Sequence, residues 1–287
     1  MKDKVIALDL GGTNIRVAVV DEKLNILKQI KDKTISDNPT KLMDKLISMI
    51  KDCSHDYIND IKAIGVSICG VVKNNQIGKC GNLSIDHNFD LYNVLKKEFK
   101  IDDIKIANDA NCSALVEARF GANKDVNDSI FVTISSGIGT GLVLDKKMVD
   151  IAFEGGRQIT EYNNEYYENE YLLSGNGIVR LAKLNQLHVE NGKEFFDLLK
   201  KNDSLAKRVY EIWIRKLSIF FSNLQLLFNV EQYAISGGVM LSKDLFINDL
   251  EKIANASISS WKLRPIKLVS AKFGQDVGIM GATSLVI

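Results

Sequence analysis

The pattern that most restricts the fold occurs twice. Residues 5–10 form an apolar run, Gly11-Gly12 interrupts it, and residues 15–20 resume the apolar character before Asp21-Glu22-Lys23. Far downstream, residues 130–134 lead into Ser135-Ser136-Gly137-Ile138-Gly139-Thr140-Gly141, and Leu142-Val143-Leu144-Asp145 follows. Short apolar runs bounded by glycines read as buried strands joined by tight turns. Two such hairpins in the two halves of one chain point to an old duplication, and so to two similar α/β lobes facing each other across a cleft.

The intervening segments fit that plan. Asn38-Pro39-Thr40 opens a stretch in which Leu42, Leu46, Met49 and Ile50 fall at helical spacing, and residues 61–68 read as a buried strand. The longest helical pattern, residues 204–228, sets Leu205, Val209, Ile212, Leu217, Phe220 and Leu224 on one broad face, with Asp203 or Ser204 as N-cap. Residues 233–235 read as a strand ending in Ser236-Gly237-Gly238-Val239, and residues 277–282 as a small-residue helix able to pack closely. No low-complexity linker separates the halves. The expected division is a small lobe, residues 1–115 completed by a helix at about 275–287, and a large lobe, residues 116–274, sharing a hinge.

Charge and cysteine usage exclude several classes of partner. Thirty-seven basic residues against 36 acidic ones leave a net charge of +1, so no broad basic field exists for nucleic acid or an anionic membrane. Any anionic ligand must be held by a local site. No apolar stretch approaches the roughly 18 residues of a membrane span, and Met1-Lys2-Asp3-Lys4 leads straight into the first strand. A cytoplasmic protein is expected. Cys53, Cys69, Cys80 and Cys112 form no CxxC pair, and the histidines are His55, His87 and His188. The cysteines read as buried, reduced small hydrophobes rather than as a disulfide scaffold or part of a Cys/His zinc site.

The glycine loops are the candidate anion sites. Asp9-Leu10-Gly11-Gly12-Thr13-Asn14 lacks the Gly-Lys-Ser/Thr of a Walker loop, and a strand rather than a helix follows it, which also removes the dinucleotide fingerprint. The second loop puts Leu142 where the last glycine of that fingerprint belongs. Both keep a tip without Cβ atoms, where backbone N–H groups converge on phosphate oxygens and a neighbouring Thr or Ser adds a hydroxyl. Plain tight hairpins are the alternative reading of either loop alone. Asp9, beside Gly11 and Gly12, suits Mg²⁺ held through water, with a turn cap as the alternative. Gly237 and Gly238 would let a flat base approach the backbone.

Lys105-Ile106-Ala107-Asn108-Asp109-Ala110-Asn111-Cys112 passes from strand to helix at Asn108-Asp109. Ligands collect at the carboxyl ends of strands in open α/β sheets, and phosphoryl transfer to an alcohol requires a group that accepts the hydroxyl proton. Asp109 is the candidate general base, with Asn108 orienting a substrate hydroxyl. An Asn-Asp helix cap explains the same dipeptide equally well.

On these residues the chain resembles the ROK family, named for repressors, uncharacterised reading frames and sugar kinases, over essentially its whole length. The resemblance implies a two-lobed, actin-like ATPase fold. Asp9-Leu10-Gly11-Gly12-Thr13-Asn14 is similar to the family's first phosphate loop, and Thr133-Ile134-Ser135-Ser136-Gly137-Ile138-Gly139 to its second, with Ser136 where Thr is usual. Ser236-Gly237-Gly238-Val239 resembles the adenosine segment, and Asn108-Asp109-Ala110-Asn111 the box whose Asp is the base for a sugar 6-hydroxyl. Gly70 and Asn82 then stand where family members contact the sugar, with Cys69 in place of a usual proline.

The family's E-x-G-H motif appears here as Glu154-Gly155-Gly156-Arg157. Glu154 retains its implied place among the sugar contacts, but an arginine cannot replace a neutral imidazole on a metal. Arg157 is expected either to contact substrate, bridging to Glu154 or an N-acetyl carbonyl, or to serve as a structural ion pair. The family's cysteine-rich zinc loop is replaced by the thiol-free residues 161–171, so no structural zinc is expected, and aromatic packing and hydrogen bonds should hold the loop. Glu170, ahead of Ser174-Gly175, fits the position of a second sugar-binding Glu.

The implied activity is transfer of phosphate from ATP, with Mg²⁺, to the 6-hydroxyl of a hexose or N-acetylhexosamine. N-acetylmannosamine, and with it sialic acid catabolism, comes first among substrates; glucokinase and β-glucoside kinase are the alternatives, and a homodimer is implied. A sugar-responsive repressor of the family carries an N-terminal helix-turn-helix, for which few residues precede Asp9. A non-catalytic sugar-binding protein would be expected to have lost the base or a phosphate loop, and both are present.

Overall fold

A computed structural model of the chain describes residues 3–80, 83–86 and 88–287; Asn82, an expected sugar contact, lies outside the described residues. The first elements are strands β1 (Lys4–Leu10), β2 (Asn14–Asp21) and β3 (Ile26–Lys33), helix α1 (Pro39–Ser54) and strand β4 (Ile61–Ile68). A short pair, β5 (Val72–Lys73) and β6 (Gln76–Ile77), precedes α2 (Leu91–Phe99), β7 (Asp103–Asn108) and α3 (Asp109–Arg119). Then come β8 (Ser129–Ile134), β9 (Ile138–Leu144), β10 (Lys147–Met148), β11 (Ile159–Tyr162) and β12 (Glu165–Glu168). Helices α4 (Asn169–Leu173), α5 (Gly175–Leu184), α6 (Gly192–Lys200) and α7 (Ser204–Phe228) follow, and β13 (Gln232–Ser236), α8 (Ile247–Ile258), β14 (Leu268–Ser270) and α9 (Val277–Ser284) complete the order. No helix among the described residues is long and apolar enough to cross a membrane.

The chain divides into two compact units. The first comprises Met1–Arg119, Met148–Ala152 and Gln275–Ile287; the second comprises Phe120–Lys147 and Phe153–Gly274.

In the first unit the sheet runs in the order β3-β2-β1-β4-β7. Strand β1 is antiparallel to β2 and parallel to β4, which is parallel to β7. Because side chains alternate across a strand, Ile6, Leu8 and Leu10 enter one core with Leu42, Leu46 and Ile50 of α1 and Leu91 and Leu95 of α2. The opposite face meets α9, which packs on β1, β4 and α3. Burial on both faces is why β1 and β4 read as nearly continuous apolar runs. Contact with α9 is close: a Cβ on Gly65 would collide with the Ala282 carbonyl, and one on Gly278 with the Asp9 carboxylate. Helix α1 starts where the sequence signals it, with the Asn38 side chain accepting from Lys41 N at 3.0 Å and proline in the first turn.

The second unit repeats the strand order as β10-β9-β8-β13-β14, with β8 antiparallel to β9 and parallel to β13. The duplication expected from the two hairpins is thus present in the sheet topology. Helix α7 spans the range read from its periodicity, capped by Asp203, whose side chain accepts from Ala206 N at 2.9 Å. Its buried face is rotated from the expected one. Leu205 is 39% exposed and Ile212 is only half-buried, while Ala206, Val209, Trp213, Leu217, Phe220, Phe221 and Leu224 are buried. Trp213 decides the rotation, because its ring packs on Phe196 and Phe246 and its indole N–H donates to the Leu173 carbonyl at 3.0 Å. A buried indole requires such a partner.

Candidate active site

The carboxyl edge of the first unit's sheet is assembled by strand register. Leu10 lies beside Ile68, and Ile68 beside Asn108, so β1, β4 and β7 end level with one another. Gly11, Cys69-Gly70 and Asp109 therefore emerge side by side. This is the edge at which open parallel sheets bind ligands.

The first glycine loop turns between β1 and β2. Gly11 N donates to Asn14 O at 3.1 Å, Thr34 N donates to Thr13 O at 3.0 Å, and the Thr34 hydroxyl donates to Gly11 O at 2.7 Å. Loop carbonyls are thus engaged by the residue that follows β3. Asp9, one residue inside the end of β1, accepts from Arg16 Nε at 2.9 Å and Nη2 at 2.6 Å, both on Oδ2. Arg16 also donates through Nη1 to Gln275 O at 2.5 Å, at the entry to α9. The sequence reading did not single out Arg16. Its signal was available: Asp9 and Arg16 are cross-strand partners in the hairpin.

At the end of β7, Asn108 Oδ1 accepts from Ala110 N at 2.9 Å and Asn111 N at 3.2 Å, while Nδ2 donates to Gly70 O at 2.9 Å. Asn108 thus caps α3 and ties it to the loop after β4. Asp109 follows it as the first residue of α3 and is exposed, with Oδ1 accepting from Ala110 N at 2.8 Å. The two readings of the dipeptide therefore separate: the capping function falls chiefly to Asn108. Gly70 adopts φ +110°, where a side chain is strained, and a Cβ there would stand 2.9 Å from Cys80 Cβ. Cys69 Sγ lies 3.0 Å from Cys80 Sγ. The Cys80 thiol and burial raise the Cys69 pKa far above the ordinary thiol range. Burial, with the Asp109 charge, does the same for Cys112. These are neutral thiols.

In the second unit the glycine loop between β8 and β9 closes through Ser135 N donating to Gly137 O at 2.8 Å. Neighbouring turns press on it. Glu170, in the first turn of α4, accepts from Ile138 N through Oε2 at 2.7 Å, and Gly175 N donates to Ser135 O at 2.6 Å. A Cβ on Gly156 would strike the Ile138 carbonyl, and Gly155 N donates to the Thr140 hydroxyl at 2.9 Å. The turn after Glu154 is thereby stitched to β9, so that Glu154, Ser136 and Glu170 share one neighbourhood.

Arg157 forms an ion pair with Glu168. Its Nη1 donates to both carboxylate oxygens of Glu168, at 3.1 and 2.9 Å, while Glu154 lies 3.9 Å from Nε. The pair closes the base of the β11–β12 hairpin, where Asn169 N also donates to Gln158 O at 2.8 Å. Aromatic packing and hydrogen bonds hold the rest. Tyr167 stacks on Tyr171 at 5.4 Å, Arg180 lies over Tyr171 at 4.6 Å, and the Tyr162 hydroxyl donates to Asn185 Oδ1 at 2.8 Å. Lys216 sits over the Tyr162 ring, and burial lowers its pKa.

Gly237, at φ +99°, lies so close to β8 that a Cβ would collide with the Ile134 carbonyl; Gly238 faces open space. A flat group can approach the backbone there. As for a metal, Asp9 supplies one carboxylate whose Oδ2 already serves Arg16, which fits a contact to Mg²⁺ through water better than direct ligation. Among the described residues, no three His, Cys, Asp or Glu side chains gather as a ligand set.

Comparison with known proteins agrees with this architecture. A family model described as "ROK family" matches residues 5–156 and 169–287. The interval it leaves out, residues 157–168, holds Arg157, the β11–β12 hairpin and Glu168. Among similar proteins, a beta-glucoside kinase of Listeria monocytogenes is 26% identical over 295 residues, covering 97% of this chain and 96% of its own. An N-acetylmannosamine kinase of Haemophilus influenzae is 24% identical over 297 residues, covering 97% and 94%. The crystal structure of a ROK family glucokinase from Streptomyces griseus, in complex with glucose and AMPPNP, superposes with a TM-score of 0.77 at 24% identity. It covers 99% of each chain.

Proposed function

The chain belongs to the ROK family, and from that premise we propose that it is a sugar kinase, transferring phosphate from ATP to the 6-hydroxyl of a hexose or N-acetylhexosamine. The observation that carries the reading is the level carboxyl edge of β1, β4 and β7, which brings the first glycine loop, Gly70 and Asp109 together. In this reading Asp109 accepts the 6-hydroxyl proton as that oxygen attacks the γ-phosphorus in line. Its exposure at the head of α3, with Asn108 doing the capping, supports the role. Gly70, Asn82, Asn108, Glu154 and Glu170 each keep the sugar-contact role that the resemblance implies.

Phosphate oxygens are held by N–H groups of Gly12, Thr13 and Asn14 and of Ser136, Gly137 and Gly139, with the Ser136 hydroxyl added; Gly11, whose N–H serves Asn14 O, keeps the first loop open to their approach. The open approach to Gly238, beside Gly237, suits the adenine base. When bound, Mg²⁺ neutralises charge on the transferring phosphates, and Asp9 would hold its water shell. Arg16 keeps the Asp9 carboxylate oriented for that duty.

N-acetylmannosamine remains the first substrate in this proposal, supported by the named kinase relative that spans nearly the whole chain. The Arg157–Glu168 pair favours a second reading, because it draws off the cation that an N-acetyl carbonyl would use. On that reading a β-glucoside or glucose is preferred. A coupled ADP-release assay with Mg²⁺-ATP against N-acetylmannosamine, N-acetylglucosamine, glucose, mannose and a β-glucoside separates the two. Asp109→Asn should lower turnover by roughly two to four orders of magnitude with sugar binding kept; near-normal turnover in that variant removes Asp109 from the role.

A further inference from the structure

Glu170 touches the second glycine loop in two independent ways. Its Oε2 accepts the Ile138 N–H at 2.7 Å, a charge-assisted bond. Its carboxylate also fills the space beside Gly137, where a Cβ would stand 2.5 Å from Oε2 and 3.0 Å from Cδ. The segment that carries Glu170 is fixed to the same loop further along, through Gly175 N donating to Ser135 O at 2.6 Å. The carboxylate and residues 135–138 thus hold each other in place, through one charge-assisted bond and one close packing contact.

We propose that Glu170 is a positioning residue that couples occupancy of the sugar site to the geometry of the second phosphate loop. The inference rests on the sugar-kinase reading and goes beyond it. Oε2 is the atom that sets the loop, and Oε1 is the atom offered to a sugar hydroxyl. A hydroxyl donated to Oε1 orients the carboxylate plane, and the Ile138 N–H and the Gly137 backbone follow it. The effect is reciprocal: a nucleotide that orders the loop changes sugar affinity by the factor by which sugar changes nucleotide affinity.

Binding, rather than turnover, tests this. Sugar affinity is measured by calorimetry with and without a non-hydrolysable ATP analogue, using the best sugar from the ADP-release assay, and the ratio of the two affinities is the coupling factor. The wild-type factor should lie within the roughly 5- to 150-fold range of allosteric couplings. Gly137→Ala pushes the carboxylate away without altering it, and Glu170→Asp keeps the charge but withdraws it by one methylene. Both should bring the factor close to one, and the double variant should fall no further than either single one. Glu170→Gln keeps the reach and an acceptor for Ile138 N–H, so it should weaken sugar binding yet keep most of the coupling.

A factor unchanged in Gly137→Ala and Glu170→Asp would overturn the proposal and leave Glu170 a plain sugar contact, with the kinase reading intact. A wild-type factor of one would overturn it as well. Failure of the wild-type protein to bind any of the sugars would sink the kinase reading itself. Circular dichroism melts identify any variant that has not folded, and Glu170→Asp then carries the test alone.

Discussion

The two glycine hairpins share a place in matching sheets and differ in what holds their tips. The tip between β1 and β2 is secured mainly by near neighbours, with Arg16 across the hairpin gripping Asp9 and Thr34 closing on Gly11, and with one distant tie from Arg16 to Gln275 O. The tip between β8 and β9 is secured from outside, by Glu170, Gly156 and Gly175, which belong to later turns of the chain. Each tip thus has a carboxylate beside it, but one is built into the strand and the other is delivered by a short helix. A duplicated frame can keep its topology while the two copies acquire their chemistry by different routes.

Substitutions of matching kind sharpen that contrast. The largest effect on stability is expected at Gly237, whose φ of +99° and ψ of 168° belong to a region essentially reserved for glycine, and whose missing Cβ makes room for the Ile134 carbonyl. Gly237→Ala should destabilise the protein by at least about 2–4 kcal/mol, or prevent folding. Gly11→Ala meets only Asn14 O, at 3.3 Å, and should stay within about 1 kcal/mol. Thermal melts that rank the two the other way would break the comparison.

An intermediate effect is expected at the self-anchored tip. Arg16→Met leaves the largely buried Asp9 carboxylate without its cation, at a cost of roughly 1–3 kcal/mol. It should also raise the KM for Mg²⁺-ATP while leaving sugar affinity close to wild type. An unchanged KM would mean that Asp9 needs no orientation.

The smallest effect belongs to the clasp at the base of the β11–β12 hairpin. Arg157 is 59% exposed and Glu168 41% exposed, and solvent-screened pairs of this kind contribute about 0–1 kcal/mol. Glu168→Gln should shift the melting temperature by only a few degrees or less. It should matter for substrate choice only if the released Arg157 turns to the sugar, which comparison of KM for N-acetylmannosamine and glucose would reveal.

Much of the frame was legible because its signals are local. Strand β4 and helix α7 span the expected residues, since a continuous apolar run and a capped amphipathic stretch announce themselves without partners. The buried face of α7 was misjudged because Leu205 and Ile212 match the apolar period, whereas the bulk of Trp213 and its need for the Leu173 carbonyl set the rotation. Asp109 and the glycine loops stood out by type and spacing. Their supports did not: Glu170 reaches Ile138 across the whole β11–β12 hairpin, and only tertiary folding reveals that bond.

The first unit draws its last helix from the opposite end of the chain, with α9 lying against β4 at Gly65 and against Asp9 at Gly278. During synthesis its sheet leaves the ribosome well before α9 exists: about 155 further residues, roughly 8–30 s at ribosomal rates, separate Arg119 from Gln275. Throughout that interval one face of β1 and β4 lacks its cover. The second unit, wholly contained in residues that emerge before Gln275, has all its parts first. The unit that contains the earliest residues is therefore the unit whose parts are complete last.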